Sequence, residues 1–245
     1  VVYFLIRKSS IKTKKMRKIF FTTCFLFVTI VGFSQTLITK NIGDFSTLKV
    51  YNGIEVELIK SDDQKIEITG KKSEMVKVKN VNNTLKLSLP FSLKPEDNAA
   101  EGEVLIKLFY NKEIAILDAN EGATITGKNF DQEKVHVKAQ ERAFINITTI
   151  TNYLTVRATS GGIIKVSGSA KNQEASVDLY GIYHGYNLVT KGNSTIKSGT
   201  GAKAEITAGE TLNASVSFGG TIFYKGEPKL VKDKKVIGGI IEKKN

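Results

Sequence analysis

The chain has 245 residues, 36 Lys and Arg against 24 Asp and Glu, no Trp, three Pro and one Cys. A single cysteine excludes an internal disulfide framework and a cysteine metal site, and a chain rich in Val, Ile, Thr, Gly and Lys favours many short strands over helices. The formal net charge of +12 is concentrated at the start: residues 1–34 hold seven Lys and Arg and no acid, and the remaining 211 residues carry a net +5. The case for nucleic-acid binding from total charge therefore loses most of its support.

In chain order, Met16-Arg17-Lys18 opens the uncharged run IFFTTCFLFVTIVGF, which closes on Gly32-Phe33-Ser34-Gln35. A basic start, an apolar stretch and small residues at its end read as a signal peptide cleaved after Ser34. The run from Ile19 to Phe33 is 15 residues, short of the ~20 that cross a bilayer as a helix, so no transmembrane anchor is expected after processing. Cys24 sits inside the run rather than at its end, where a lipoprotein would need it. The residues before Met16 read as an over-long start or an extended basic region.

Period-two alternation follows at LKVY (48–51), IEVELI (54–59), KIEIT (65–69), MVKVK (75–79), TLKLSL (84–89) and VLIKLF (104–109), the signature of half-buried strands. No window shows a sustained helical stripe. The segment 91–103, with Pro95, acids and small residues, reads as one long loop dividing an N-terminal region (35–110) from a C-terminal one (111–245).

Beyond that loop the chain repeats. Strand starts are expected at Ile114, Val135, Leu154, Ala175, Ser194 and Leu212, at spacings of 21, 19, 21, 19 and 18, with Val137 and Val156, two residues on, expected to point inward. Each is followed by a mostly small corner residue and a second short run: ATIT, FINIT, IIKVS, YNLV, AEIT, TIFY. Two strands and a corner every ~20 residues predict an all-β solenoid of stacked coils with almost no helix, because each coil leaves its backbone edges unpaired until the next stacks on it. An antiparallel sandwich shares the alternation. Leu48, Ile66 and Leu85 open comparable strands in the first half, which either continues the solenoid or caps it. The apolar tail Val236-Ile237-Gly238-Gly239-Ile240-Ile241 is expected to form a last strand closing the final coil.

The stretches Phe45-Ser46-Thr47-Leu48-Lys49-Val50, Gly53-Ile54-Glu55-Val56-Glu57-Leu58, Lys65-Ile66-Glu67-Ile68-Thr69-Gly70 and Asn83-Thr84-Leu85-Lys86-Leu87 resemble the auto-transporter adhesin, head GIN domain family. So do residues 212–228 and the terminal Gly238-Gly239-Ile240-Ile241. The resemblance spans about 43–241 and implies an exported Bacteroidetes-type protein of stacked β-coils, periplasmic, outer-membrane-associated or extracellular. It brings no catalytic residues. The chain departs from the family's Ser-Gly-Ser-Gly corners, most of all at Tyr180-Gly181-Ile182-Tyr183-His184-Gly185-Tyr186.

No cofactor or metal is called for. His136 and His184 lack converging ligands in the sequence, and Glu55 and Glu57 read as the wet side of one strand rather than as a glycosidase pair. Two ligand surfaces are expected. Stacking the repeats places Leu117, Lys138, Arg157, Asp178, Lys197 and Ser215 in one outward row, flanked by His136, Thr155, Ser176, Thr195 and Asn213. Asp178 between Arg157 and Lys197 makes a self-compensated surface ladder one reading, and the other is that Lys138, Arg157 and Lys197 track an acidic polysaccharide, a lipid headgroup or another cell-surface component. Tyr180, Tyr183, His184 and Tyr186 offer a sugar-stacking platform or, alternatively, rings capping the core where a coil bulges. The function expected is a non-catalytic adhesin-like module. A β-helix polysaccharide enzyme and a structural envelope protein are the alternatives.

Overall fold

In a computed structural model, residues 37–245 are described, and the expected signal peptide with its cleavage after Ser34 lies outside them. Each repeat makes two strands at an angle. The first lies on one wall (face A), a corner with left-handed backbone follows, and the second lies on a neighbouring wall (face B). On face A the order is β6(Thr84–Ser88), β2(Thr47–Val50), β8(Ile116–Ala119), β10(Lys134–Ala139), the end of β11(Phe144–Ala158), the end of β12(Ile163–Val177), β14(Asn193–Ser198), β16(Thr211–Ser217) and β18(Leu230–Val236), all parallel. On face B it is β7(Leu105–Tyr110), β3(Glu55–Lys60), β9(Thr124–Gly127), the starts of β11 and β12, β13(Ile182–Thr190), β15(Lys203–Thr207), β17(Thr221–Lys225) and β19(Ile240–Lys243). The protein is an all-β solenoid. Its only helical turns among the described residues are 3-10 turns at Ser73–Met75 and Pro95–Asn98.

Alternating side chains point inward and stack into a column along face A: Leu85, Leu48, Leu117, Val137, Val156, Ala175, Ile196 and Ala214, all buried. Burying a Val, Leu or Ile is worth about 1.5–3 kcal/mol each, and each sits against the coil before and after it, so stability is shared between neighbours. Val137 and Val156 occupy the inward positions expected of them.

The N-terminal half continues the solenoid and also caps it, out of chain order. The coil of β2 and β3 lies between that of β6 and β7 and that of β8 and β9. Beyond β7 and β6 the strands turn antiparallel: β4(Lys65–Thr69) on β7, β1(Ile38–Asn41) on β4, and β5(Lys77–Val81) on β6. Ile66 therefore belongs to an antiparallel cap on face B and not to the row of Leu48 and Leu85. The segment 91–103 connects the two walls of one coil, β6 to β7, rather than two halves of the chain. The tail differs from expectation as well. Val236 ends β18, Ile237 and Gly238 form a left-handed corner, and β19 begins at Ile240, so the apolar run makes strand, corner and strand.

Candidate functional site

The register of face A decides which side chains form the outward row. Lys138 pairs with Arg157 as expected, but Arg157 pairs with Ser176, and Ser176 with Lys197. Continuing both ways, the row reads Lys86, Lys49, Asp118, Lys138, Arg157, Ser176, Lys197, Ser215 and Lys234. Two expected members are elsewhere. Leu117 points inward and is fully buried, Asp118 taking its place, because Ile114 caps the coil before the strand starts and the alternation begins one residue later. Asp178 lies past the end of β12, where its Oδ1 accepts the backbone N–H of Leu179 and of Thr200, both at 2.8 Å. That slip arises from Gln173, which pairs with Leu154 and fills an inward position with an amide where an apolar residue was sought.

The observed row is more basic than the expected one, since nothing acidic separates Arg157 from Lys197. Asp118 is its one acid: the carboxylate is nearly buried, 3.7 Å from the Lys49 ammonium, and accepts from Asn120 Nδ2 at 3.1 Å. The neighbouring row holds His136, Thr155, Glu174, Thr195, Asn213 and Lys232. Glu174, not Ser176, stands there. Burial holds the His136 pKa below the ordinary histidine value, Lys138 and Arg157 add to that, and Asp118 and Glu174 oppose it. Over the last coils a furrow of about 230 Å³ runs between the rows, bordered by Lys197, Lys232 and Lys234, by the polar Thr195, Asn213 and Ser215, and by one acid, Asp233.

The tyrosine-rich segment is split across the molecule. Tyr183 is fully buried (0% exposed) in the core, and its hydroxyl donates to Gln173 Oε1 at 3.1 Å. Gln173 Nε2 in turn donates to Thr190 Oγ1 at 2.6 Å and Ser194 Oγ at 3.2 Å. Burial pushes the Tyr183 phenol far up. The coil bulges here, its register shifting between Gly185 and Val189, and Gly185 is required because a Cβ would lie 2.6 Å from the Tyr183 ring. Tyr183 thus offers no ring to a ligand. Tyr180 is exposed at the corner. His184 points outward on face B, its Nδ1 2.6 Å from Glu205 Oε2. Burial alone would raise the Glu205 pKa, but hydrogen bonds from Lys203 and His184 outweigh it and hold it below the carboxylate range. Tyr186 is half-buried, with the Lys225 ammonium 5.2 Å above its ring. The four residues form no common platform.

His136 and His184 stand on different faces, and among the described residues no three or more His, Cys, Asp or Glu side chains cluster as metal ligands would. Glu57 lies in register beside Lys107. A second groove of about 660 Å³ follows the other corner, between Glu133, Lys171, Lys191 and Glu210. Its mixed signs give it no preference for an anion.

Residues 44–228 match the family model described as "Putative auto-transporter adhesin, head GIN domain". Among solved structures, a putative adhesin from Bacteroides fragilis is similar with a TM-score of 0.76 at 19% identity, over 86% of this chain and 98% of that one. Putative adhesins from Parabacteroides distasonis (TM-score 0.60, 19% identity) and Parabacteroides merdae (0.58, 17%) are similar over the same shares, 86% and 98%. At these identities the likeness shows the fold. No curated protein sequence matches the chain.

Proposed function

Because the chain belongs to the auto-transporter adhesin, head GIN domain family, we propose that it is an exported, non-catalytic binding module of the cell envelope that holds an acidic polysaccharide along face A. The observation carrying this reading is the basic row itself. Lys49, Lys138, Arg157, Lys197 and Lys234 share one wall, and Asp118 is the only acid in their line. Parallel strands stand about 4.8 Å apart, so the adjacent Lys138 and Arg157 repel unless a counter-charge intervenes, while Ser176 and Ser215 set Arg157, Lys197 and Lys234 two strands apart. A chain of carboxylates or sulfates supplies that charge repeatedly. The hydroxyls and amide of Thr155, Thr195, Ser176, Ser215 and Asn213 beside the cations suit the neutral part of a sugar.

Export is supported by the leader-like segment and by the family. A mature chain starting at Gln35 is the expected product, and an intact-mass measurement on protein recovered from the envelope tests it. The ligand is tested on an array of uronic-acid, sulfated and neutral glycans. The protein should retain the anionic ones, less so as salt rises, and the triple substitution Lys138→Glu, Arg157→Glu, Lys197→Glu should abolish retention with a nearly unchanged melting temperature. Equal binding by the triple variant removes face A as the site.

A further inference from the structure

Seven corners from face A to face B share one backbone conformation, two successive residues with positive φ: Asn52 and Gly53, Glu121 and Gly122, Glu141 and Arg142, Ser160 and Gly161, Leu179 and Tyr180, Phe218 and Gly219, Ile237 and Gly238; at Thr200 and Gly201 only the glycine has it. The corners stack through the backbone. Gly161 N–H donates to Leu179 O at 3.0 Å, Tyr180 N–H to Thr200 O at 3.0 Å, and Phe218 N–H to Val236 O at 3.2 Å. The first corner positions therefore line up along one edge of the solenoid, with Thr200 standing between Leu179 and Phe218.

The left-handed region suits Gly, Asn and Asp; side chains with bulk at Cβ are strained there, a β-branched residue most of all. The first four corners hold polar residues at the first position, Asn52, Glu121, Glu141 and Ser160, the two glutamates held there against the same strain as any unbranched side chain. Three later corners hold apolar residues. Leu179, Phe218 and Ile237 take the first position at φ 47°, 47° and 54°, and Tyr180 takes the second at 62°. None of these side chains repays the strain by burial, since they are 47%, 58%, 68% and 69% exposed respectively. The ridge is thus unfavourable twice over, in backbone and in solvation. Strained residues held in place by their surroundings, and apolar surface left in water, both mark contact sites.

The charges beside the ridge indicate what it meets. Lys234 and Lys235 precede the Ile237 corner by three and two residues, Lys197 precedes the intervening Thr200 corner by three, and all three are exposed. Of the nearby acids, Asp178 is engaged by two backbone N–H groups, which leaves Asp233 among the lysines. The N-terminal part of the same edge carries Glu121 and Glu141 and no exposed apolar corner residue. Apolar side chains projecting from a thin edge, with cations set back from their tips, match the profile of a bilayer surface, where rings and aliphatic groups enter the interface and ammonium groups meet phosphates. We infer that the ridge Leu179, Tyr180, Phe218 and Ile237 is a membrane-docking edge that inserts into the headgroup layer of an anionic lipid surface, tilting the C-terminal coils toward the bilayer. From Leu179 to Ile237 the contact spans three inter-strand steps, about 14 Å.

The apolar tips are distinct from the wall proposed for the polysaccharide, which shares Lys197 and Lys234 with this edge, and substitutions at the tips separate the two. The test is flotation of the protein with vesicles of phosphatidylcholine alone and of phosphatidylcholine mixed equally with phosphatidylglycerol. The protein should float with the anionic vesicles and only weakly with the neutral ones. The double substitution Phe218→Asn and Ile237→Asn keeps residues that tolerate the left-handed region while removing the apolar tips. It should lower vesicle partitioning by about tenfold or more, leave retention on anionic glycans unchanged, and leave the melting temperature equal or higher. A structural role for the ridge would instead lower the melting temperature. Absence of binding to anionic vesicles, equal binding by the double variant, or a change from dimer to monomer in that variant, which would make the ridge a self-association edge, each overturns the inference.

Discussion

Replacing Tyr183 by Phe tests how the bulged coil is held together. The hydroxyl is sealed in the core and gives its proton to Gln173 Oε1 at 3.1 Å. Among the described residues no buried side-chain polar atom lacks a partner. Without the hydroxyl, Gln173 Oε1 loses its donor while Nε2 stays committed to Thr190 and Ser194, and an orphaned buried acceptor costs about 1–3 kcal/mol. Phe also escapes the desolvation of a hydroxyl, so a net loss of about 1–2 kcal/mol is expected, or about 2–8 °C in melting temperature for a chain of this size. Urea unfolding followed by far-ultraviolet circular dichroism measures it. Replacing Gln173 by Leu in the same chain should recover part of the loss, since removing both partners is milder than removing one. A Tyr183→Phe protein as stable as the parent, or a Tyr183 phenol that titrates together with the exposed tyrosines in a 295 nm titration of the folded protein, would refute the network.

Gly185→Ala should cost about 1–3 kcal/mol by driving a methyl into the Tyr183 ring, and Tyr183→Leu in the same chain should relieve it; additive losses in thermal melts would contradict the contact. Val137→Asp or Val156→Asp buries a charge without a partner, a cost of several kcal/mol, so either variant should lose its strand spectrum or its soluble expression. His136 has a depressed folded pKa, so the unfolded chain takes up its proton first as pH falls. Its contribution is present above the ordinary histidine pKa of about 6.5 and is lost as pH drops through the lower folded value; melting temperature should fall over that window, and less so in His136→Asn. A polyanion on the row favours the protonated ring, so glycan affinity should rise over the same window, a gain missing from the Asn variant.

Much of the fold was legible because its period was carried by apolar residues. Val135, Val137, Leu154 and Val156 read as inward in the sequence and are inward in the structure. The order of coils was not legible, since β2 and β3 sit between β6–β7 and β8–β9 through pairings that sequence proximity does not signal. Hairpin chemistry alone does not tell a hairpin from a corner. Asn52-Gly53 looks like a hairpin turn but makes a corner between two walls, whereas Asn82 and Asn83, at φ 49° and 60°, make the hairpin between β5 and β6. Both pairs use the same local backbone. The difference lies in whether the second strand folds back on the first or runs along a different wall, which depends on the coils already stacked.

The site was legible in kind but not in register. A two-residue slip is invisible to a period-two argument because it leaves inward residues inward, so Ala175 could stand for Gln173 without disturbing the apolar column. The consequence falls entirely on the outward face. Under the slipped alignment an aspartate separates Arg157 from Lys197 and the row looks self-compensated; under the true register a serine stands there and the cations lack that neutralising neighbour. The signal that fixes the register is Gln173 itself, an amide at an apolar position that is tolerable only where hydroxyls meet it. Tyr183 and Thr190 do so later in the same repeat and Ser194 does so from the next. One buried amide thus pins the stacking of its own coil on the next, and through that register sets the charge pattern that the opposite side of the same strand presents to a ligand.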